Sequence, residues 1–97
     1  MSPYYLADYA IKNDLKETLS VLLQANDELL IYIISSPIFD ERALLPLVTD
    51  GALTIESILD KLPLLLPFIQ SSLELAEATF VKLREFTFRQ NAQVSLE

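Results

Sequence analysis

The sequence predicts an all-α fold, built as a single-domain helical bundle of about five helices. Apolar residues return at helical spacing in two long segments, residues 14–35 and 67–90. No stretch of useful length alternates apolar and polar residues as a half-buried strand does. Each long helix would carry an apolar stripe too wide to remain in water. We therefore expect the two to pack antiparallel, with three short helices closing the sides.

The first two helices have recognisable starts. Ser2 offers a capping hydroxyl and Pro3 follows at the first helical position, which predicts a short helix over residues 4–11. Asp14, with Glu17 three residues later, has the pattern of a capping box and predicts the start of the first long helix. The stripe of that helix consists of Leu15, Leu19, Leu22, Asn26, Leu29 and Ile33.

Asn26 is the polar residue in the middle of this stripe, and it allows two interpretations. The leucines on both sides keep their helical phase, which favours an unbroken helix over residues 14–35. Asn26 would then be a buried amide that fixes register or oligomeric state, as in coiled coils. In the alternative, one helix ends before Asn26, which caps a second helix that opens with Asp27 and Glu28.

Two short helices come next. Asp40 predicts a cap for a helix over residues 41–48, and Gly51 is expected in the left-handed conformation that ends it. Thr54 predicts the cap of another helix over residues 55–62.

The last long helix is expected to begin at Pro67. Its stripe, which we expect to be buried, consists of Ile69, Leu73, Ala76, Phe80 and Leu83, widened by Phe68, Leu75 and Phe86. The helical domain is expected to cover residues 1–91, followed by a polar, frayed tail over residues 92–97. The final Leu96-Glu97 has the look of a cloning remnant.

The charge balance argues against two classes of partner. The 97 residues carry 14 acidic and 7 basic side chains, a formal net charge of −7. Nucleic acids and anionic membranes are bound through clustered Lys and Arg, so we expect neither as a partner. The uncharged runs are shorter than the roughly 18 residues of a membrane span. Because the start Met1-Ser2-Pro3 does not resemble a secretory signal, we expect a cytoplasmic protein.

The residue types exclude several kinds of catalytic chemistry. The chain has no histidine, no cysteine and one glycine. Histidine-based or cysteine-based catalytic triads, zinc–thiolate sites and glycine-rich phosphate loops are therefore impossible. We predict no catalytic, cofactor-binding or metal-binding residues, and a protein that is not an enzyme.

One pattern leaves a magnesium-dependent alternative. Glu74 and Glu77 lie three residues apart, and this Glu-x-x-Glu spacing resembles half of the metal-binding pattern of all-α nucleotide pyrophosphohydrolases. The resemblance implies a second acidic pair on a neighbouring helix, holding Mg²⁺ through carboxylate oxygens. Glu56 and Asp60 are the nearest candidates for that pair, but their spacing differs from the pattern.

The apolar content exceeds what a small core needs. Hydrophobic residues make up 52% of the chain, whereas a domain of this size buries only about two-thirds of its surface. A second contact surface is predicted at residues outside the two main stripes, namely Val81, Phe88, Ile31, Tyr32 and Val21. Three things could cover this second contact surface: a short helix of the same chain, a second copy in a homodimer, or a different protein.

From these observations we predict a non-enzymatic protein–protein interaction or self-association module, with a homodimer as the expected assembly. The alternative is an acidic inhibitor or immunity-type protein whose negative surface masks a basic site on its target, such as that of a nuclease.

Overall fold

All regular secondary structure in the part that the structure describes is helical. This computed structural model describes the backbone of residues 2–95 and the side chains of residues 2–91. Within that range there is no strand, and the helices are α1 (Pro3–Lys12), α2 (Lys16–Ala25), α3 (Leu29–Ile34), a 3₁₀-helix (Glu41–Ala43), α4 (Leu44–Thr49), α5 (Ile55–Asp60), α6 (Leu62–Ser71) and α7 (Leu73–Ser95). The all-α class is confirmed, and the number and lengths of the helices fit the prediction roughly.

Three of the predicted caps form. The Ser2 hydroxyl accepts a hydrogen bond from the Tyr4 N–H at 3.2 Å. The Asp40 carboxylate caps the 3₁₀-helix, and the Thr54 hydroxyl caps α5 by accepting from the Ser57 N–H. These side chains satisfy N–H groups that have no partner inside the helix, which is why the corresponding starts could be read from sequence.

The predicted capping box at Asp14 is wrong. Asp14 has φ 53°, a left-handed conformation, and α2 begins after Leu15 without a side-chain cap. The Leu15 N–H instead donates to the Ala10 carbonyl at 2.9 Å, and the Asp14 N–H donates to the Ile11 carbonyl at 3.3 Å. This is the Schellman pattern that closes a helix, so Asp14 serves the end of α1 and not the start of α2.

The prediction of one helix over residues 14–35 is also wrong, because the chain breaks at Asn26. Asn26 is extended, with φ −154° and ψ 98°, and its side chain is exposed. Its Oδ1 accepts a hydrogen bond from the Glu28 N–H at 3.1 Å, which closes a tight turn before α3. The second interpretation is therefore correct about the break, and the buried register-setting amide is wrong. Asn26 is the C-cap of α2, however, and α3 begins at Leu29 after Glu28 and not at Asp27.

The segment 67–90 is divided in the same way at Ser72. Pro67 lies inside α6 and does not begin the long helix. Ser72 has φ −138° and ψ 112°, and its hydroxyl accepts from the Leu75 N–H at 3.2 Å, so it caps α7. A serine hydroxyl that bonds the backbone of the next turn competes with continuation of the helix before it. The long helix consequently starts at Leu73 and runs to Ser95, into the predicted tail, while residues 96–97 lie outside the described residues.

The predicted antiparallel pair of long helices is not formed. Helix α2 packs on α1, α3 and α4, whereas α7 packs mainly on α4, α5 and α6. Helix α4 therefore lies between the two segments that were expected to meet. The largest fully buried side chains all precede α6: Leu19, Leu23, Leu29, Leu30, Ile33, Leu44, Leu47, Leu53 and Ile58.

The molecule is elongated by its last helix. Its principal extents are 47 × 30 × 21 Å and its radius of gyration is 14.3 Å, against roughly 12–13 Å for a compact domain of this length. Every described side chain from Thr87 to Asn91 is exposed, so this part of α7 contributes nothing to the core. None of the helices in the described part has both the length and the apolar character that crossing a membrane requires.

Candidate functional site

Helix α7 exposes large apolar side chains on the side that points away from the bundle. Leu73 keeps 76% of its surface accessible and Phe80 keeps 60%. The outer face of α7 is defined here by its apolar members, Leu73, Ala76, Phe80, Val81, Leu83 and Phe88. The prediction that the stripe of Leu73, Phe80 and Leu83 is buried in the core is therefore wrong.

The side of α7 that is buried lies across the helix from this outer face. Leu75 is buried, and Ala78 and Phe86 pack partly buried against the core. Leu75 lies roughly 160° around the helix from Leu73. Because α7 is apolar on both sides, its periodicity alone could not decide which side the bundle would cover.

Two of the predicted interface residues, Val81 and Phe88, are exposed on the outer face of α7. Phe88 keeps 74% of its surface accessible, so no helix in the described part of the chain covers it. The first of the three predicted covers, a short helix of the same chain, is thereby excluded for this residue. A shallow depression beside the Phe88 ring is lined by Arg84, Glu85 and Arg89.

Two opposite charges lie among these apolar residues. Glu77 and Arg84 are both exposed and are two helical turns apart, on the same side of α7 as Leu73 and Phe80. Among the side chains that the structure describes, neither Glu77 nor Arg84 takes part in an ion pair. The outer face thus combines apolar contact area with one acidic and one basic group that can each take a partner from outside.

The remaining predicted interface residues lie elsewhere. Ile31 and Val21 are exposed on α3 and α2, which do not pack extensively on α7. Tyr32 is already engaged within the chain, because its ring meets the Tyr4 ring edge-on with centroids 4.9 Å apart. The five residues are therefore all exposed, but they do not form one surface.

Tyr32 also joins α3 to α1 through its hydroxyl. The Tyr32 hydroxyl donates to the Asp8 carboxylate at 2.7 Å. This hydrogen bond to a negatively charged group raises the pKa of Tyr32 above its usual range. The contact between Tyr32 and Asp8 is one reason to regard this side of α3 as structural.

A buried lysine makes a second polar link inside the bundle. The Lys61 ammonium lies 3.7 Å from the Asp27 carboxylate and 3.4 Å from that of Asp60. The Ser57 hydroxyl donates to the same Asp27 carboxylate at 2.8 Å. The break at Asn26 places Asp27 where it can reach α5, so these contacts tie the turn before α3 to the end of α5.

The described residues do not assemble the ligand set that the magnesium-dependent alternative requires. No group of three or more carboxylates close enough to hold a metal ion is found among them. Glu74 and Glu77 are both exposed on α7, as residues on a solvated helix face are. The second acidic pair that the resemblance implies is therefore missing from the vicinity of Glu74 and Glu77.

The carboxylates are spread over most of the helices and turns of the chain. They extend from Asp8 on α1 to Glu85 on α7 and also occupy the turns at Asp27, Asp40 and Asp50. An inhibitor that masks a basic site needs its negative charge concentrated where the target binds. No described feature favours that alternative over an apolar contact.

Comparison of the chain with protein-family models, with curated proteins and with solved structures gives no match. The outer face of α7 must therefore be interpreted from its own residues.

Sequence reasoning missed Leu73, Phe80 and Leu83 as surface residues, because it assigned the best-phased stripe to the core. One signal was available. Leu75, Ala78 and Phe86 form a second set at helical spacing on the same segment. A helix with two apolar sides either is buried all round or covers one side with another molecule.

Proposed function

We propose that this chain is a non-enzymatic protein-interaction module and that the outer face of α7 is its contact surface. The observation that carries the proposal is the exposure of Leu73, Phe80 and Phe88 along one side of a continuous helix. Isolated exposed apolar residues are ordinary, but a contiguous apolar patch bordered by charges is typical of an interaction site.

The energetics favour covering this face. A fully exposed phenylalanine presents about 150–250 Å² of surface, and removal from water is worth about 25 cal/mol per Å². The exposed fractions of Phe80 and Phe88 alone correspond to several kcal/mol before association costs. A helix docking lengthwise on α7 would reach Leu73, Phe80 and Phe88 at once, which is the geometry of helix-in-groove recognition.

The available chemistry supports binding over catalysis. With no histidine and no cysteine in the sequence, the commonest general base and the thiolate nucleophile of active sites are lacking. We place the module in the cytoplasm, because a fold that needs no disulfide suits a reducing compartment.

A site-specific cross-linking experiment tests the proposal. A photo-reactive phenylalanine analogue replaces Phe80 in one variant of the full chain and Val21 in a matched control, since both positions are exposed. Irradiation in the native cells is expected to give a discrete cross-linked product from position 80, of the same chain or of another protein. That product should disappear when Phe88→Glu is added.

Absence of any product at position 80 above the level at position 21 would overturn the proposal. Circular dichroism of each purified variant checks that the helical content is unchanged.

A further inference from the structure

We infer that α7 pairs antiparallel with α7 of a second copy of this chain, across a two-fold axis between Phe80 and Val81. The inference rests on the proposed function, because it names the occupant of the outer face. Two properties of that face carry it: the apolar area and the order of the charges along the helix.

The exposed apolar area suits a pair of copies. The exposed fractions of Leu73, Phe80, Val81, Leu83 and Phe88 amount to roughly 500 Å² per chain, on a scale where a whole phenylalanine presents 150–250 Å². Two copies would then bury about 1,000 Å² of apolar surface, which reaches the lower bound for a specific interface. The helix is 23 residues long, about 34 Å, so Leu73, Phe80 and Phe88 can meet a copy along one line.

The charge order selects the antiparallel arrangement. With the axis between Phe80 and Val81, Glu77 of one copy lies level with Arg84 of the other, and the reverse pair forms symmetrically. The same register sets Leu73 level with Phe88 of the second copy. In a parallel, in-register pair, Glu77 would instead face Glu77 of the second copy and Arg84 would face Arg84, and such like-charge contacts are destabilising. Antiparallel helices also align their dipoles favourably.

The charge of the whole chain is compatible with pairing at this surface. A net charge of −7 makes two copies repel each other in most orientations. Residues 73–88 carry three acidic side chains (Glu74, Glu77 and Glu85) against two basic ones (Lys82 and Arg84). This segment is therefore close to neutral, and two copies can approach along it at little electrostatic cost.

The test uses charge reversal at the two paired positions, followed by sedimentation equilibrium over a protein concentration series. The wild-type chain is expected to reach the mass of a dimer. Glu77→Arg and Arg84→Glu should each weaken the dimer at least about tenfold, because both symmetry-related pairs become like-charged.

Mixing the two single variants should restore a heterodimer, and the double variant E77R/R84E should restore the homodimer. These rescues separate the register from a general effect of charge. Glu17→Arg on α2 changes the net charge as Glu77→Arg does, at an exposed position away from α7, and it should leave the dimer intact.

A wild-type chain that stays monomeric up to about 1 mM, the range of the weakest specific complexes, would overturn the inference. Two results would overturn the antiparallel register. One is a dimer that survives both Glu77→Arg and Arg84→Glu. The other is a dimer that Phe80→Glu abolishes but that mixing the two charge variants does not restore. If position 80 still cross-links to a different protein in cells, the proposed function stands and the second copy is the wrong occupant. If position 80 gives no product at all, both fall.

Discussion

The segment from α1 to α5 and the helix α7 use apolar residues in opposite ways. In the first region, Leu23, Leu30 and Ile58 are almost completely buried, each surrounded by other helices of the same chain. In α7, Leu75 is the buried apolar side chain among those described, while Leu73 and Phe80 remain largely exposed. The comparison shows that the first region supplies most of the buried core, whereas α7 contributes one side to the bundle and leaves large apolar side chains exposed on its other side.

The largest expected effect is a difference between two Leu→Ala substitutions. Leu30→Ala removes a fully buried side chain and should lower the free energy of unfolding by about 2–5 kcal/mol. Leu73→Ala removes an exposed side chain and should change the free energy of unfolding by less than about 0.5 kcal/mol. Urea unfolding at a concentration that keeps the chains monomeric gives both values. Equal losses at the two positions would break the comparison.

A second prediction concerns the polar link that holds α2 to the turn after α4. The Asp50 carboxylate accepts from the Ser20 hydroxyl at 3.1 Å and from the Ala52 N–H at 2.8 Å. Asp50→Ala should cost about 1–3 kcal/mol, because the buried donors lose their acceptor. A double-mutant cycle with Ser20→Ala should give a coupling energy of at least about 0.5 kcal/mol. Strict additivity would show that this hydrogen bond does not hold the first region together.

The break at Asn26 gives a smaller effect. Asn26→Ala removes the acceptor of the Glu28 N–H and should cost about 1 kcal/mol. Asn26→Ser is the matched control, since serine can accept the same hydrogen bond. If Asn26→Ala stabilises the chain in thermal unfolding, the helix is continuous through this position after all.

The smallest effect is a pH dependence at the junction of α1 and α3. Because the folded-state pKa of Tyr32 is raised by Asp8, the stability from this contact is fully present below the unfolded pKa of about 10. It is lost as the pH rises through the folded value. Tyr32→Phe should therefore flatten the fall in melting temperature between about pH 9 and about pH 11.

Tyr9→Phe is the control for this pH effect, because Tyr9 is exposed on α1 and has no such contact described. An identical flattening in both variants would contradict the assignment to Tyr32.

The sequence predicted the parts of the fold that depend on local chemistry. The helical periodicity and the caps at Ser2, Asp40 and Thr54 were correct because each involves a few adjacent residues. The break at Asn26 was only the less favoured of two interpretations, and the break at Ser72 was missed. An apolar stripe in phase on both sides does not show that the backbone turns between its halves.

The candidate site was only partly predictable, for a related reason. Val81 and Phe88 were recognised because they lie outside the best-phased stripe of their helix. Leu73 and Phe80 were assigned to the core because periodicity identifies an apolar side without saying what covers it. The cover depends on where α4 and α5 lie, and that is decided by packing across the whole chain.

The bend at Ser72 has a consequence for how this chain could exchange parts. Ser72→Ala removes the hydroxyl that caps α7 and favours a single straight rod through α6 and α7. Such a rod would carry Leu75 away from its own bundle and leave a vacant slot that the same segment of a neighbouring molecule fits, which is three-dimensional domain swapping. Exchanged dimers of this kind would separate slowly. If the Ser72→Ala variant stays dimeric in size-exclusion chromatography at a dilution where the wild-type chain is monomeric, Ser72 is the hinge.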